Sequence, residues 1–346
     1  MTFRQSYSCV LLAGLAASPC GALPHTQAAQ EQRQFQQDRP PWARHPETAT
    51  GRSQPLPDKA DDNEQEKAPD RSKIRVQVNL VNILVSVLDR RNRPAPDLPR
   101  DAFELYEESV LQKLELFEAE TQRPLDLVLM VDSSLSTQIE MAEEREAAAH
   151  FIRQVLRPGD HLAVYQFDDS VTQLAGFSDD VPRLQSAVRH ITEGAGTSLY
   201  DAVYLGAKAL ERRGSENRRV IVLVTDAGET TSRIDFQAAQ KQAVLSGALL
   251  YTIVLRPVKS ESGRNTAGEH ALETITDVTG GAMFFPDQPT DLDAIFDRID
   301  RELRTQYRLA YYPNPHGPAN TFRRVEVRVK GEYSVRYRRG YYTGAE

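Results

Sequence analysis

The sequence predicts an α/β protein: a doubly wound, mostly parallel sheet inserted in, or flanked by, a small antiparallel β-sandwich. Three observations predict it. From Asp126 to Arg304, short apolar runs alternate with segments of helical period, the pattern of a parallel sheet with helices on both faces. Two of these runs, ending at Val131 and at Thr225, are continuously apolar, as strands covered on both faces require. On either side of this region the period falls to two, before Leu88 and again from Tyr307 to Tyr337, the period of strands with one buried face.

Expected order begins near Ile74. Val76, Val78 and Leu80 alternate with polar residues, and Ile83, Val85 and Val87 continue after a one-residue shift at Val81-Asn82, which reads as a bulged strand. Arg90-Arg91-Asn92-Arg93-Pro94 reads as a turn. Phe103, Leu105 and Tyr106 open a second strand. Glu107-Glu108-Ser109 makes a tight connection, and Leu111, Leu114, Leu116 and Phe117 form a third strand. Residues 74–122 thus make a small antiparallel unit.

The run ending at Val131 is the first buried strand. A helix follows over Gln138–Leu156, capped by Thr137, with Ile139, Ala142, Phe151, Ile152 and Val155 available for one face. Strands at Leu162–Phe167 and Val171–Ala175 precede helices at Val181–Ile191 and Leu199–Arg213. After the second buried strand, Val220–Thr225, a helix over Phe236–Ser246 stops at Gly247, which tolerates the left-handed backbone of a helix end. A strand at Leu249–Leu255, a helix at Glu269–Val278, a strand at Ala282–Phe285 and a helix at Asp291–Arg304 complete the region. Residues 305–346 return to strand period, with Tyr307, Leu309 and Tyr311, then Val325, Val327 and Val329, then Val335 and Tyr337. Neither flanking group makes a robust sheet alone. The economical arrangement pairs 305–346 with 74–122 in one sandwich and inserts the α/β region between them.

The remaining chain is tail. Arg4, the apolar stretch Cys9–Ala17 and the small residues toward Ala22 and Ala28 read as a signal peptide over 1–28, too short to span a bilayer. Export to the periplasm, the medium or the cell surface follows. Both cysteines, Cys9 and Cys20, lie in this leader, so the mature chain is expected to hold together without disulfides. Residues 29–73 are rich in Gln, Pro and charged residues and read as a disordered linker. The net charge of −7 argues against a nucleic-acid partner, and no other segment is apolar enough to cross a membrane.

The polar residues at the strand ends carry the chemistry. Asp132, Ser134 and Ser136 follow the first buried strand on alternate residues, Thr197 lies in Gly194-Ala195-Gly196-Thr197-Ser198, and Asp226 ends the second buried strand. In a wound sheet, ligands bind outside the carboxyl ends of the strands. Oxygen-only ligands suit a hard divalent cation such as Mg²⁺, with Mn²⁺ or Ca²⁺ as substitutes. A Ser or Asp after a strand also caps helices; it is the joint pattern that points to a metal. His161 reads as structural and the tyrosines of the late strands as packing. The polar loop Arg256–Gly268 reads as a mobile connection.

Taken together, Asp132-x-Ser134-x-Ser136, Gly196-Thr197-Ser198-Leu199-Tyr200-Asp201-Ala202 and Val224-Thr225-Asp226-Ala227-Gly228-Glu229 resemble the metal-ion-dependent adhesion site of a von Willebrand factor type A (VWA) domain over 124–304. The flanking strands and Arg339-Gly340-Tyr341-Tyr342 resemble a bacterial, exported subfamily of such proteins. The resemblance implies a VWA fold of Rossmann-like type. It implies that Ser134, Ser136 and Thr197 contact the ion through hydroxyls, and that Asp132 and Asp226 act largely through water and as counter-charges. It implies an acidic side chain of a protein partner as the outside ligand. Asp201 and Glu229 would stand at the rim. One departure is local: Ala227 stands directly after Asp226, where many relatives have Gly.

No catalytic residues are expected. The chain has no Gly-x-Ser-x-Gly elbow, no phosphate-cradling Gly-rich loop with Lys, no Cys nucleophile and no His-Glu metalloprotease box. The expected function is non-enzymatic, cation-dependent protein binding. An envelope scaffold with a vestigial metal loop, or a metal-dependent hydrolase, are the alternatives. Oligomeric state is not legible.

Overall fold

The computed structural model describes residues 80–119, 122–134, 141–214, 216–255 and 265–344. The expected leader and linker, Ser136, Thr137 and most of the loop beginning at Arg256 lie outside those residues.

The first strands are β1 (Val81–Leu88), β2 (Phe103–Glu107), β3 (Val110–Gln112) and β4 (Leu114–Glu118). The α/β region follows: β5 (Leu125–Asp132), α1 (Met141–Val155), β6 (His161–Phe167), β7 (Val171–Ser178), α2 (Val181–Arg189), α3 (Leu199–Glu211), β8 (Arg218–Thr225), α4 (Phe236–Ser246), β9 (Leu249–Val254), α5 (Thr266–Thr279), β10 (Ala282–Phe284) and α6 (Leu292–Arg304). The last strands are β11 (Tyr307–Tyr311), β12 (Phe322–Val329), β13 (Ser334–Tyr337) and β14 (Gly340–Tyr342).

The central sheet has the order β10-β9-β8-β5-β6-β7. Its ladders are parallel except β6–β7, a hairpin turned by Asp168-Asp169-Ser170, short enough only for antiparallel neighbours. β5 explains the uniformly apolar run: Leu125, Leu127, Leu129 and Val131 face one core, Val128 and Met130 the other. Phe151 and Ile152 of α1, Leu184 and Val188 of α2 and Phe296 and Ile299 of α6 close the first face. Leu199 and Val203 of α3, Ala239 and Ala243 of α4 and Leu272 and Ile275 of α5 close the second. Local signals set the helix ends. Asp180 and Asp235 cap α2 and α4 by accepting from Arg183 N and Ala238 N, and Gly247 and Gly280 stop α4 and α5 in left-handed conformation.

Two smaller sheets, β13-β1-β11-β4 and β14-β12-β2-β3, enclose a third core of Ile83, Val85, Phe103, Leu105, Tyr307, Leu309 and Val327. β1 pairs with β11 and β13, and β2 with β12, all antiparallel, so early and late segments share both sheets. Two details differ from the sequence reading. No shift occurs at Val81-Asn82: the register from Val81↔Tyr311 to Val85↔Tyr307 is unbroken. Leu84 packs toward the α/β core instead, so β1 is apolar on both faces and only looks out of phase. The expected third strand is two strands, β3 pairing with β2 and β4 with β11. The chain passes from one sheet to the other at Lys113, a change that short apolar runs do not signal.

Glu107 knits this core. It is 1% exposed, accepts hydrogen bonds from Tyr311 Oη (2.6 Å) and Tyr341 Oη (3.1 Å) at Oε2, and from Arg323 Nε (2.6 Å) at Oε1. Removing one partner of a buried charge pair leaves the other uncompensated. Glu107→Ala is therefore expected to destabilise the protein by about 3 kcal/mol, read as a lower urea midpoint. Unchanged stability would contradict this role.

Candidate metal centre

The strand order reverses at β5. The chain goes from β5 to β6 on one side, then returns to place β8 on the other. The crevice outside the carboxyl ends of β5 and β8 is the switch point of the sheet, where wound folds bind ligands. Asp132 is the last residue of β5 and Thr225 the last of β8.

Three loops meet there. In the first, Ser134 N donates to Asp132 Oδ1 (3.0 Å), while Ser133 turns away and donates through N (2.9 Å) and Oγ (3.2 Å) to Phe167 O. The second loop is tied to the first by Gly194 N donating to Ser133 O (2.8 Å). It is tied to the third by Thr197 N donating to Thr230 Oγ1 (2.9 Å) and Thr230 N donating to Thr197 O (2.9 Å). The third is tied to the first by Thr225 Oγ1, which donates to Asp132 Oδ2 at 2.6 Å and accepts from Ala227 N at 3.0 Å. Asp132, Ser134, Thr197 and Asp226 are all buried.

Gly228 leaves room for two of these loops to approach. A Cβ there would lie 2.9 Å from Asp226 Oδ1, 3.3 Å from Thr197 Oγ1 and 3.6 Å from Asn265 Nδ2, so a carboxylate and a hydroxyl from two loops both lie close to this glycine. Gly228 N also donates to Asp226 Oδ1 (2.8 Å). Gly194 and Gly196 serve differently: side chains there would run into Asp168 and Asp169 of the β6–β7 turn. Ala227, the departure noted in the sequence, is fully buried with φ of 62°. It takes the left-handed conformation that glycine would supply at lower cost.

Burial pushes the Asp132 carboxyl up to about 6; hydrogen bonds from Thr225 and Ser134 oppose the rise, and the nearby Asp226 charge adds to it. The Ser198 hydroxyl is fully buried and has no hydrogen-bond partner. The donor set is therefore two carboxylates and a surplus of hydroxyls, all oxygen, which fits a hard divalent cation. Among the described residues, no group of three or more His, Cys, Asp or Glu side chains is arranged to hold a metal.

Asp201 and Glu229 have other work. Glu229 accepts from Tyr200 N (3.1 Å) and Ser232 Oγ (2.6 Å), and Asp201 Oδ1 accepts from Arg233 N (3.0 Å) and Ile234 N (2.9 Å). Both stitch the start of α3 to the 229–234 loop. His161 lies at the opposite end of the sheet, 3.7 Å from Asp126. Thr225 and Thr230 hold the site together yet have no signature in sequence beyond a hydroxyl at a strand or loop end.

Against known proteins, residues 127–229 match the model of the von Willebrand factor type A domain. The chain carries a VWA domain. It is 25% identical over 186 residues to bovine (Bos taurus) calcium-activated chloride channel regulator 1, an alignment over 51% of this chain and 19% of that protein. The chain thus spans about a fifth of that relative's length. Among solved structures, the vWF domain of the type V pili tip protein Mfa5 from Porphyromonas gingivalis aligns over 52% of this chain and 95% of its own, at 14% identity and TM-score 0.43. A von Willebrand factor type A protein from Catenulispora acidiphila covers 79% of this chain and 76% of its own, at 11% identity and TM-score 0.47.

Two outcomes follow from this VWA geometry. A carboxyl with its folded-state pKa near 6, against 3.8 in the unfolded chain, is protonated first in the folded state as pH falls. In chelator, this group is expected to add about 2 kcal/mol of stability between pH 7 and pH 4, and Asp132→Asn to remove that slope in urea titrations. A slope unchanged in the variant would refute the assignment. Gly228→Ala is expected to weaken Mn²⁺ uptake at least tenfold while circular dichroism stays native, because its Cβ must displace Asp226.

Proposed function

We propose that this chain is an exported, non-enzymatic binding protein. In this reading Asp132, Ser134, Ser136, Thr197 and Asp226 hold a divalent cation, Mg²⁺ or in its place Mn²⁺ or Ca²⁺, and an Asp or Glu of a protein partner completes its shell. The observation that carries the reading is the approach of two different loops to Gly228, where a Cβ would meet both Asp226 Oδ1 and Thr197 Oγ1, with the buried Asp132 near enough to feel the Asp226 charge. Bound there, the ion would supply Lewis acidity for a carboxylate oxygen from outside, since few anionic oxygens compete for it.

The chain's own residues prepare that site. Thr225 fixes Asp132 Oδ2, and Ser134 N fixes Oδ1, so the carboxylate is oriented before any ion arrives. Thr230 holds the backbone of Thr197 from both sides. The absence of a nucleophile–base pair in the sequence supports binding over turnover. No helix among the described residues is long and apolar enough to cross a membrane, and the apolar leader supports export.

Calorimetry with MnCl₂ on chelator-treated protein is expected to show uptake near one ion per chain. Asp132→Ala should abolish it, and Thr197→Ala should weaken it at least tenfold. A partner captured from the host's envelope in Mg²⁺ should be released by chelator and not captured by Asp132→Ala. Capture indifferent to both would leave the scaffold reading, and ester or phosphoester turnover lost in Asp132→Ala would favour the hydrolase.

A further inference from the structure

At the amino-terminal end of the central sheet, opposite the candidate metal centre, lies a cavity of about 350 Å³, within the range of small-molecule sites. It lies where the starts of β8 and β9 and the end of α4 meet β1, β11 and the β13–β14 corner. Five arginines line it: Arg123, Arg218, Arg219, Arg308 and Arg338. None of the described lining residues is acidic, in a chain whose net charge is −7.

Three of these arginines are spoken for. Arg218 is buried and donates to the carbonyls of Arg123 and Leu303. Arg308 donates to Asn82 Oδ1 (3.0 Å) and pairs with Glu118 (3.3 Å). Arg123 donates to Glu216 O. The other two differ. Arg219 donates to Ser246 O (2.5 Å) and Gly214 O (2.8 Å), and Arg338 to Asn82 O (2.7 Å). Each keeps a buried Nε with no hydrogen-bond partner, and neither makes an ion pair among the described residues. They converge on one place: Arg219 grips Ser246 O, and Arg338 Nη1 lies 3.9 Å from where a Cβ on the next residue, Gly247, would stand. Burial lowers the pKa of both guanidiniums. Desolvated cations with unmade N–H bonds are costly unless an anion meets them.

We propose that this cavity binds a small amphipathic organic anion, its carboxylate or phosphate head against Arg219 and Arg338 and its apolar body against Leu84, Val244 and Val278. The two heads share the chemistry that a guanidinium fork recognises, a planar pair of acceptor oxygens. A volume near 350 Å³ suits such a molecule rather than a folded partner. The proposal does not depend on the cation reading, and its test is run in chelator so that the two stand or fall separately.

Calorimetry with phenyl phosphate and with 3-phenylpropionate will show which head is preferred, and binding of at least one is expected. Inorganic phosphate should bind at least tenfold more weakly than phenyl phosphate, and neutral 3-phenylpropanol not measurably. Arg219→Gln and Arg338→Gln should each weaken the better anion at least tenfold. Should either variant fail to fold, phenylglyoxal labelling of the native chain decides: the anion should protect Arg219 and Arg338 but not the exposed Arg328. No binding of either anion at millimolar concentration, equal binding of the neutral analogue, or labelling of Arg219 and Arg338 unaffected by the anion would overturn the proposal.

Discussion

Strand β5 is buried along its whole length, with alternate side chains in two different cores. A strand so enclosed tolerates charge only near its ends, where a partner can reach it. At one end Asp126 accepts from Arg213 Nη2 (2.9 Å). At the other, Asp132 accepts from Ser134 N and the Thr225 hydroxyl. The same enclosure fixes β8 alongside β5 in parallel register, and so brings Asp226 to the same crevice. The position of the candidate site is thus a by-product of packing; its chemistry is set by the few residues just beyond the packed zone.

Those residues are mostly neutral. Hydroxyls cost less to bury than carboxylates and can serve as hydrogen-bond donors or as ligands. Thr225 holds one carboxylate, Thr230 holds a loop, and Ser198 is left with its bonding capacity unspent. Adding acids would deepen the electrostatic cost already visible at Asp132. On the proposed reading, a site of this composition would hold a cation that retains affinity for further oxygen ligands.

The wound sheet was legible because two-sided burial writes itself as unbroken apolar runs and amphipathic segments of helical period. The end of α4 was legible to the residue, since Gly247 is a local signal with a local cause. The crossing between the two small sheets at Lys113 was not, because β3 and β4 are short and their partners, Leu105 and Tyr311 among them, lie up to about two hundred residues apart. Likewise β1 looked out of phase at Val81-Asn82, as one sequence cannot say that Leu84 serves a different core. At the candidate site, the acids and hydroxyls of the motif could be read, whereas the roles of Thr225 and Thr230 exist only once three loops are folded together.

Helix α5 is clamped by glycines at both ends. At its start, a Cβ on Gly268 would come within 1.9 Å of Ala227 O; at its finish, one on Gly280 would come within 2.3 Å of Tyr337 C. The first contact is the loop bearing Asp226, the second is the corner of the small sheets. Over 14 residues the helix is about 21 Å long, so one rigid element touches both places. A side chain at Gly268 or at Gly280 would have to shift the Ala227 loop or the Tyr337–Arg338 backbone.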